Sequence, residues 1–336
     1  MSGRRFAVLL TAYLLGSGVS AFAQDAASSP DTPDNPFGEE VAVNYVMIPF
    51  TVLGSKGAPI IDLKSKEVSL LVDGRPVPSD MFEVSMNAPV SWTILLDGSG
   101  SMGLAGKMDA ARAAVSTLMA HRQPGDDFSL YVFAEGKATE IVEFTEDPLK
   151  ITRAMKNVKP WGKTAFFDAL ADMPERSSLG KNPTRAIILL SDGIDNASHL
   201  TRDAIAHQLE DVAIPIYVLG LREPAEARPQ IAVNEELSDI ALLEELASRT
   251  GGKLYLGNQP DQLGTAMNGI ESNLRAQYLI GFAPTGKGSV KYRRISLELA
   301  GRVRSVRVRS GYRGTEPPVL NAATREKPKR NERKRS

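Results

Sequence analysis

The middle of the chain, residues 90–276, alternates between short apolar runs and longer segments with apolar residues at helical spacing. The runs at 92–96 and 186–190 are dominated by apolar residues, which predicts strands buried on both faces, as in parallel sheets. The segment 107–122 repeats its apolar residues every three or four positions, which predicts a helix. This alternation predicts a doubly wound α/β domain with a mostly parallel, Rossmann-like sheet. The same pattern predicts further strands at 128–134, 139–144, 214–221 and 254–256, and further helices at 148–158, 164–173, 201–212, 238–250 and 260–276.

Both flanks of this domain contain the short alternating or β-branched runs that are typical of strands. Turn signals containing glycine separate the runs on the N-terminal side, which predicts a small antiparallel module over 41–89. On the C-terminal side the runs predict a β-rich segment over 277–314. We therefore expect a small β-rich segment at each end of the α/β domain. The individual runs are 41–53, 67–72, 81–85, 277–282, 290–299 and 303–308.

The first 23 residues predict export. Residues 1–23 combine a basic pair, Arg4 and Arg5, with an apolar run over 7–15 and small residues where a signal peptidase reads the chain. An uncleaved anchor is the alternative, although the run is short for a membrane span. No later segment reaches 18 apolar residues, so we expect no transmembrane span in the mature chain. The expected location is the periplasm, the cell surface or the outside of the cell.

Composition and charge narrow the classes of partner. The 336 residues are 42% apolar and 24% charged, which is typical of a globular protein, and the formal net charge is zero. This charge is unevenly distributed along the chain. Residues 24–301 carry a formal charge of −11, and residues 302–336 carry a formal charge of +9. Composition predicts a flexible lead-in over 24–40 and a basic disordered tail over 315–336. The tail is either simply solvated or binds an anionic envelope surface, and the predicted export argues against nucleic acid.

Polar side chains follow two of the predicted buried strands. The first strand of the domain runs into Asp97, Ser99 and Ser101, and the fourth strand runs into Asp192. In a doubly wound sheet these two strands are neighbours at the topological switch, so their carboxyl ends meet at one crevice. Thr164 opens a predicted helix in the connection between them, which places its hydroxyl near the same point. The sequence therefore predicts a shared site for Asp97, Ser99, Ser101, Thr164 and Asp192.

The chemistry of this set predicts a divalent metal. The chain has no cysteine and three scattered histidines, which excludes thiolate sites and leaves little for zinc. Two carboxylates and three hydroxyls are hard oxygen ligands, suited to Mg²⁺ or Mn²⁺, with Ca²⁺ as a further candidate. Five side-chain oxygens, some acting through water, leave a position open on an octahedral ion. A carboxylate of a partner protein can occupy that position.

These residues resemble a known pattern. Asp97-x-Ser99-x-Ser101, then Thr164, then Ser191-Asp192-Gly193, are similar to the metal-ion-dependent adhesion site of von Willebrand factor type A domains. The resemblance covers about residues 90–276, and the flanks look like those of an exported bacterial group of related proteins. It implies that the two serines and the threonine ligate the ion, while the acids act largely through water. It also implies that a Glu or Asp of a protein ligand completes the shell, in a binding module that is not an enzyme.

Two other functions remain open at this point. A metal-dependent hydrolase would need a general acid or base, and only Asp195 and His199 lie near enough in sequence. A structural envelope scaffold with a vestigial site is the third interpretation. For Asp195 and Asp168 we expect turn formation and compensation of a helix dipole rather than metal ligation. Lys163-Thr164 does not end a phosphate-binding loop, since the required earlier glycine would fall at Asn157.

Overall fold

The computed structural model describes residues 45–54, 57–136, 138–192, 195–222, 230–257, 259–300 and 305–318, and the side chains of 230–239 lie outside this description. The predicted signal peptide, the predicted lead-in and nearly all of the predicted basic tail therefore fall outside the described residues. In the part that is described, no helix combines the length and apolar character needed to cross a bilayer.

Strands and helices follow the predicted alternation along the chain. The strands are β1 (Val46–Leu53), β2 (Val68–Val72), β3 (Arg75–Val77), β4 (Met81–Met86), β5 (Val90–Asp97), β6 (Asp127–Phe133), β7 (Thr139–Thr145), β8 (Thr184–Ser191), β9 (Ile216–Gly220), β10 (Lys253–Leu256), β11 (Ala276–Phe282), β12 (Lys291–Leu299), β13 (Ser305–Val308) and β14 (Gly311–Gly314). The helices are α1 (Lys107–His121), α2 (Pro148–Asn157), α3 (Phe166–Ala171), α4 (Met173–Ser178), α5 (Arg202–Gln208), α6 (Gln230–Arg249) and α7 (Pro260–Leu274).

A six-stranded sheet forms the centre of the α/β domain, in the order β10-β9-β8-β5-β6-β7. All neighbouring strands are parallel except β7, which is antiparallel to β6. Strand β5 pairs directly with β8, with Ile94 opposite Ile188, so the predicted adjacency of the first and fourth strands is confirmed. This is a doubly wound, mostly parallel sheet, as the sequence predicts.

Helices cover both faces of the central sheet, which explains its continuous apolar runs. Every residue of β5 is buried. One face packs against α1, α2 and α7 through side chains such as Val115, Ile151 and Met267. The other face packs against α3, α5 and α6 through side chains such as Phe166 and Leu246. Because both faces are closed, polar ligands can reach the sheet only at its ends.

The flanking strands form one unit rather than two. We expected separate β-rich segments before and after the α/β domain, but each flanking sheet contains strands from both sides. Strands β1 and β4 pair with β11, and β13 pairs with β1, in one four-stranded sheet. Strands β2 and β3 join β12 and β14 in the other. The physical reason is that a two-stranded hairpin cannot bury an apolar face by itself, whereas two four-stranded sheets enclose a shared core.

The predicted helix over 164–173 is shorter and divided. Helix α3 begins at Phe166, and the chain turns at Asp172 before α4 begins. Pro174 lies in the first turn of α4, where its missing N–H is tolerated, but it cannot continue the hydrogen bonding of α3. Because α3 begins only at Phe166, Thr164 lies in the loop that precedes the helix rather than inside it.

We predict that the core between the two flanking sheets depends on Phe50. Its ring is 1% exposed and stacks on Tyr278 of β11, with 5.2 Å between ring centroids. Phe50→Ala should lower the free energy of unfolding by about 3–5 kcal/mol, because it leaves a cavity in the apolar cluster that joins Phe50 to residues of both flanking sheets. Denaturant unfolding measures this change. Val84→Ala, at a side chain that is 43% exposed on β4, should cost less than about 1 kcal/mol. Equal losses in both variants would contradict the shared core.

Candidate metal centre

Asp97 ends strand β5 as a buried carboxylate held on both oxygens. Its side chain is fully buried, and its Oδ1 accepts a hydrogen bond of 2.9 Å from the Ser99 backbone N–H. Its Oδ2 accepts a hydrogen bond of 2.6 Å from the hydroxyl of Ser191, the last residue of β8. The two neighbouring strands are therefore joined at their carboxyl ends through this carboxylate.

Burial raises the pKa of Asp97 to about 6, because removal from water disfavours the charged form. The hydrogen bonds from Ser191 and Ser99 oppose this rise, and the negative charge of Asp192 adds to it. A carboxylate whose ionised form is so disfavoured is stabilised by a cation placed beside it.

Ser99 and Ser101 bring two hydroxyls together on the turn that follows β5. Their Oγ atoms lie 3.1 Å apart, and Ser99 is 1% exposed while Ser101 is half-buried. A 3-10 turn over Gly100–Gly103 holds the two residues in this arrangement. The structure thus places Asp97, Ser99 and Ser101 next to one another, as the spacing in the sequence predicts.

The loop that carries Thr164 lies against the same turn. The backbone N–H of Trp161 donates to the carbonyl of Gly98 at 2.8 Å, and the N–H of Gly100 donates to the carbonyl of Gly162 at 3.0 Å. Thr164 itself is 2% exposed, and its N–H donates to the side-chain oxygen of Asn196 at 2.9 Å. The two loops are therefore fastened together by their backbones, with Thr164 buried beside them.

Asp192 follows β8 and has an unsatisfied oxygen. Its side chain is 2% exposed, and its Oδ2 accepts a contact of 2.7 Å from the Lys107 ammonium. Its Oδ1 is buried and has no hydrogen-bond partner among the described residues. Its backbone carbonyl accepts from the Nε of Arg222. A buried carboxylate oxygen without a partner is costly, and a cation at this position would satisfy it.

The residues present fit a divalent cation. The donor set consists of hard oxygens, and one buried carboxylate oxygen of Asp192 is unpaired. Across the described ranges, no group of three or more histidine, cysteine or acidic residues is arranged to hold a metal. An ion at this edge of the sheet must therefore rely on the hydroxyls of Ser99, Ser101 and Thr164 as well as on the two acids.

Sequence reasoning named Ser191 only as part of the motif around Asp192, without its contact to Asp97, and it missed Lys107 and Arg222. Ser191 bonds Asp97, Lys107 pairs with Asp192, and Arg222 binds the backbone next to it. A signal for Lys107 exists in the sequence, because a lysine at the first position of a helix opposes the helix dipole. Its presence there indicates a nearby carboxylate. Ser191 and Arg222 each stand at the end of a buried strand, beside the crevice that the topology creates.

Asp168 and Asp195 have the local roles that we predicted. Asp195 accepts from the backbone N–H of Phe167, in the first turn of α3, at 3.0 Å, and from the hydroxyl of Ser198 at 2.6 Å. Asp168 accepts from the backbone N–H groups of His199 and Leu200, both at 2.9 Å. Both carboxylates are thus used in fixing the loop between β8 and α5.

Parts of the chain are similar to known proteins. The family described as von Willebrand factor type A domain matches residues 93–194. A solved structure described as von Willebrand factor type A from Catenulispora acidiphila is 14% identical, with 81% of this chain and 74% of that chain covered and a TM-score of 0.47. The conserved hypothetical protein BatB from Bacteroides thetaiotaomicron is 21% identical, with 56% and 100% covered and a TM-score of 0.43. An aerotolerance-related membrane protein from Bacteroides fragilis is 22% identical, with 55% and 98% covered and a TM-score of 0.41. No curated protein matches.

We predict that Gly98 is required for the close approach of β5 to β6. A Cβ at this position would lie 2.8 Å from Cγ1 of Val132 and 3.2 Å from the carbonyl oxygen of Phe133. Gly98→Ala should therefore lower the free energy of unfolding by about 1–3 kcal/mol. Gly136→Ala is the matched control, because a Cβ there meets no atom within 4 Å, and it should change stability by less than about 0.5 kcal/mol. Thermal unfolding of both variants checks this, and an unchanged Gly98→Ala would contradict the tight packing.

Proposed function

We propose that this protein is a binding module that uses a divalent metal ion to recognise an acidic residue of its partner. The match of residues 93–194 to the von Willebrand factor type A domain family supports this proposal. The observation that carries the proposal is the buried, unpaired Oδ1 of Asp192 at the edge of the sheet where Asp97 and the serine hydroxyls also lie. The family match supports a protein-interaction role. The ion and the acidic ligand are the finer parts of the proposal.

The hydroxyls of Ser99, Ser101 and Thr164 and the carboxylates of Asp97 and Asp192 would hold the ion, which is Mg²⁺ or Mn²⁺ by the chemistry of its ligands. When bound, the ion supplies a positive charge that attracts a carboxylate. The three hydroxyls are neutral, so they neutralise none of that charge. The two carboxylates together carry no more negative charge than the ion carries positive charge. The site with its ion therefore has no net negative charge that would repel an incoming Glu or Asp.

The rim of the crevice carries exposed apolar side chains. Trp161 is 63% exposed and Leu104 is 65% exposed, on the two loops that are joined by backbone hydrogen bonds at Gly98 and Gly100. Tryptophan is enriched among the residues that contribute most to protein–protein binding. An apolar rim around a charged centre favours a protein partner over a free anion, because the rim adds contact area that a small ion cannot use.

The hydrolase alternative receives no support from the geometry of its two candidate groups. Both oxygens of Asp195 accept hydrogen bonds from Ser198, and one of them also accepts from Phe167. His199 is 92% exposed and its Nδ1 contacts Asp168 at 3.0 Å. Both groups are thus held in local structure, away from the role of an acid or base at the crevice.

The predicted signal peptide over 1–23 supports a location of this binding function in the cell envelope or outside the cell. That location supports the proposal, since a partner there is reached without crossing a membrane. An envelope surface bound by the basic tail over 315–336 stays a separate prediction. A scaffold with a vestigial site is the alternative, and it predicts that the natural protein does not bind Mg²⁺.

We predict that the double variant Ser99→Ala, Ser101→Ala weakens binding of Mg²⁺. Two of the five oxygen ligands are lost without any change in charge, so the dissociation constant measured by calorimetry should rise more than about tenfold. Ser116→Ala is the matched control, because its exposed hydroxyl bonds only within α1, and it should bind Mg²⁺ as the natural protein does. Unchanged binding in the double variant would contradict the site, and no binding in the natural protein would favour the vestigial scaffold.

We also predict that partner capture depends on both the ion and Trp161. The natural protein, used as bait for an envelope extract, should recover partners with Mg²⁺ present and lose them when a chelator is added. Trp161→Ala should recover at least about tenfold less while binding Mg²⁺ normally, since the rim is altered but the ligands are not. Leu149→Ala changes an apolar side chain that is 54% exposed on α2 and serves as the control. Capture that survives the chelator would overturn the proposal.

A further inference from the structure

Lys107 is a cation already present at the proposed metal centre. Its Nζ lies 2.7 Å from Oδ2 of Asp192, and the two side chains are 15% and 2% exposed. The position is fixed from the backbone outwards, because Lys107 is the first residue of α1 and its N–H donates to the carbonyl of Leu104 at 3.1 Å. The adjoining Ala105 and Gly106 have φ values of 52° and 71°, which turn the chain sharply into the helix.

From this contact we infer that the Lys107 ammonium neutralises Asp192 while the site holds no ion, and that it competes with the divalent ion for this carboxylate. The inference rests on the proposed function, whose metal centre it deepens. It assigns Lys107 as the residue that sets how tightly the site binds its ion.

The charges at the crevice explain why a competing cation is needed. Asp97 and Asp192 are both almost fully buried, on neighbouring strands. Asp97 receives hydrogen bonds from Ser191 and Ser99. In the part of the chain that the structure describes, the two carboxylate oxygens of Asp192 receive only the contact from Lys107. Without Lys107, a buried charge would be left unpaired, which is strongly destabilising.

The same contact opposes the ion when it arrives. An ion held by Asp192, directly or through a water, brings two positive charges close to the ammonium, and this repulsion is strong in a poorly solvated crevice. The ion and the Lys107 contact at Asp192 therefore exclude each other. A lysine that only held Asp192 in position would have the opposite effect. Its removal would make the Asp192 carboxylate more mobile and would lower the affinity of the site for the ion.

The test measures binding of Mg²⁺ alone, by calorimetry and by thermal unfolding with and without the ion. Lys107→Met should bind Mg²⁺ about tenfold more tightly or better, because a positive charge in contact with a ligand is removed. In the absence of ion its Tm should fall, while the rise in Tm on adding Mg²⁺ should become larger than in the natural protein. Lys107→Arg keeps the charge and should not bind more tightly than the natural protein.

Lys163→Met is the matched control. Lys163 has the same charge and precedes Thr164, but its side chain is exposed, so its removal should change the dissociation constant by no more than about twofold. Equal tightening in Lys107→Met and Lys163→Met would mean that general charge, not the contact with Asp192, is responsible, and would overturn the inference.

The remaining outcomes are distinct. Unchanged or weaker binding in Lys107→Met overturns the inference and leaves the metal centre intact, with Lys107 only holding Asp192 in position. Absence of Mg²⁺ binding in both the natural protein and Lys107→Met overturns the inference together with the proposed function. If Lys107→Met does not fold, the Nζ resonance of Lys107 in isotope-labelled natural protein decides: a saturable shift on adding Mg²⁺ supports displacement, and an unchanged resonance at saturation overturns it.

Discussion

Two buried carboxylates at the end of a parallel sheet set the physical constraint on this molecule. Strands β5 and β8 are closed on both faces by helices, so their carboxyl ends are where polar groups can gather. Asp97 and Asp192 stand there with little water around them, and their charges must be compensated by hydrogen bonds or by a cation. Ser191 and Ser99 donate hydrogen bonds to Asp97, and Lys107 forms an ion pair with Asp192. Among the described residues, one oxygen of Asp192 has no partner. The proposed metal binding follows from that incomplete compensation.

The unit formed by the flanking strands is fixed to the α/β domain at the two places where the chain passes between them. Asp126 and Arg275 form an ion pair of 2.6 Å, with side chains that are 0% and 7% exposed. Asp126 also accepts from the N–H of Val90 at the start of β5, and Arg275 also donates to the carbonyl of Ala88. Arg275 lies on the connection from α7 to β11, and its contacts reach the connection from β4 to β5. This one ion pair therefore joins the two connections between the α/β domain and the flanking strands. It lies at the amino end of β5, opposite the proposed metal centre.

Local patterns in the sequence predicted the central domain well, for reasons that are visible in the structure. Strands buried on both faces have continuous apolar runs, and the order of a doubly wound sheet places β5 beside β8. The pairing of β1 and β4 with β11 was not predictable in this way. Every pair of facing residues is at least 190 positions apart in the sequence, as Met86 and Ala276 are, and the patterns carry no signal of partner choice. The sequence therefore predicted the flanking strands, but not that strands from the two flanks pair in the same sheets.

In the candidate site, too, contacts between residues close in sequence were predictable, whereas contacts between residues far apart in sequence were not. Asp97, Ser99 and Ser101 share one turn, and their spacing predicted their proximity. Lys107 reaches Asp192 across 85 positions of sequence, and only the docking of α1 against the sheet brings the two together. Lys107, the residue proposed to control binding of the ion, therefore lies outside the motif from which the site was predicted.

The most direct measurement is a crystal structure grown with Mn²⁺, with anomalous differences recorded to locate the ion. We expect one peak at the carboxyl edge of β5 and β8, in contact with the hydroxyls of Ser99 and Ser101, with the Lys107 ammonium no longer on Asp192. An empty crevice at saturating Mn²⁺, with the Lys107 contact intact, would contradict it.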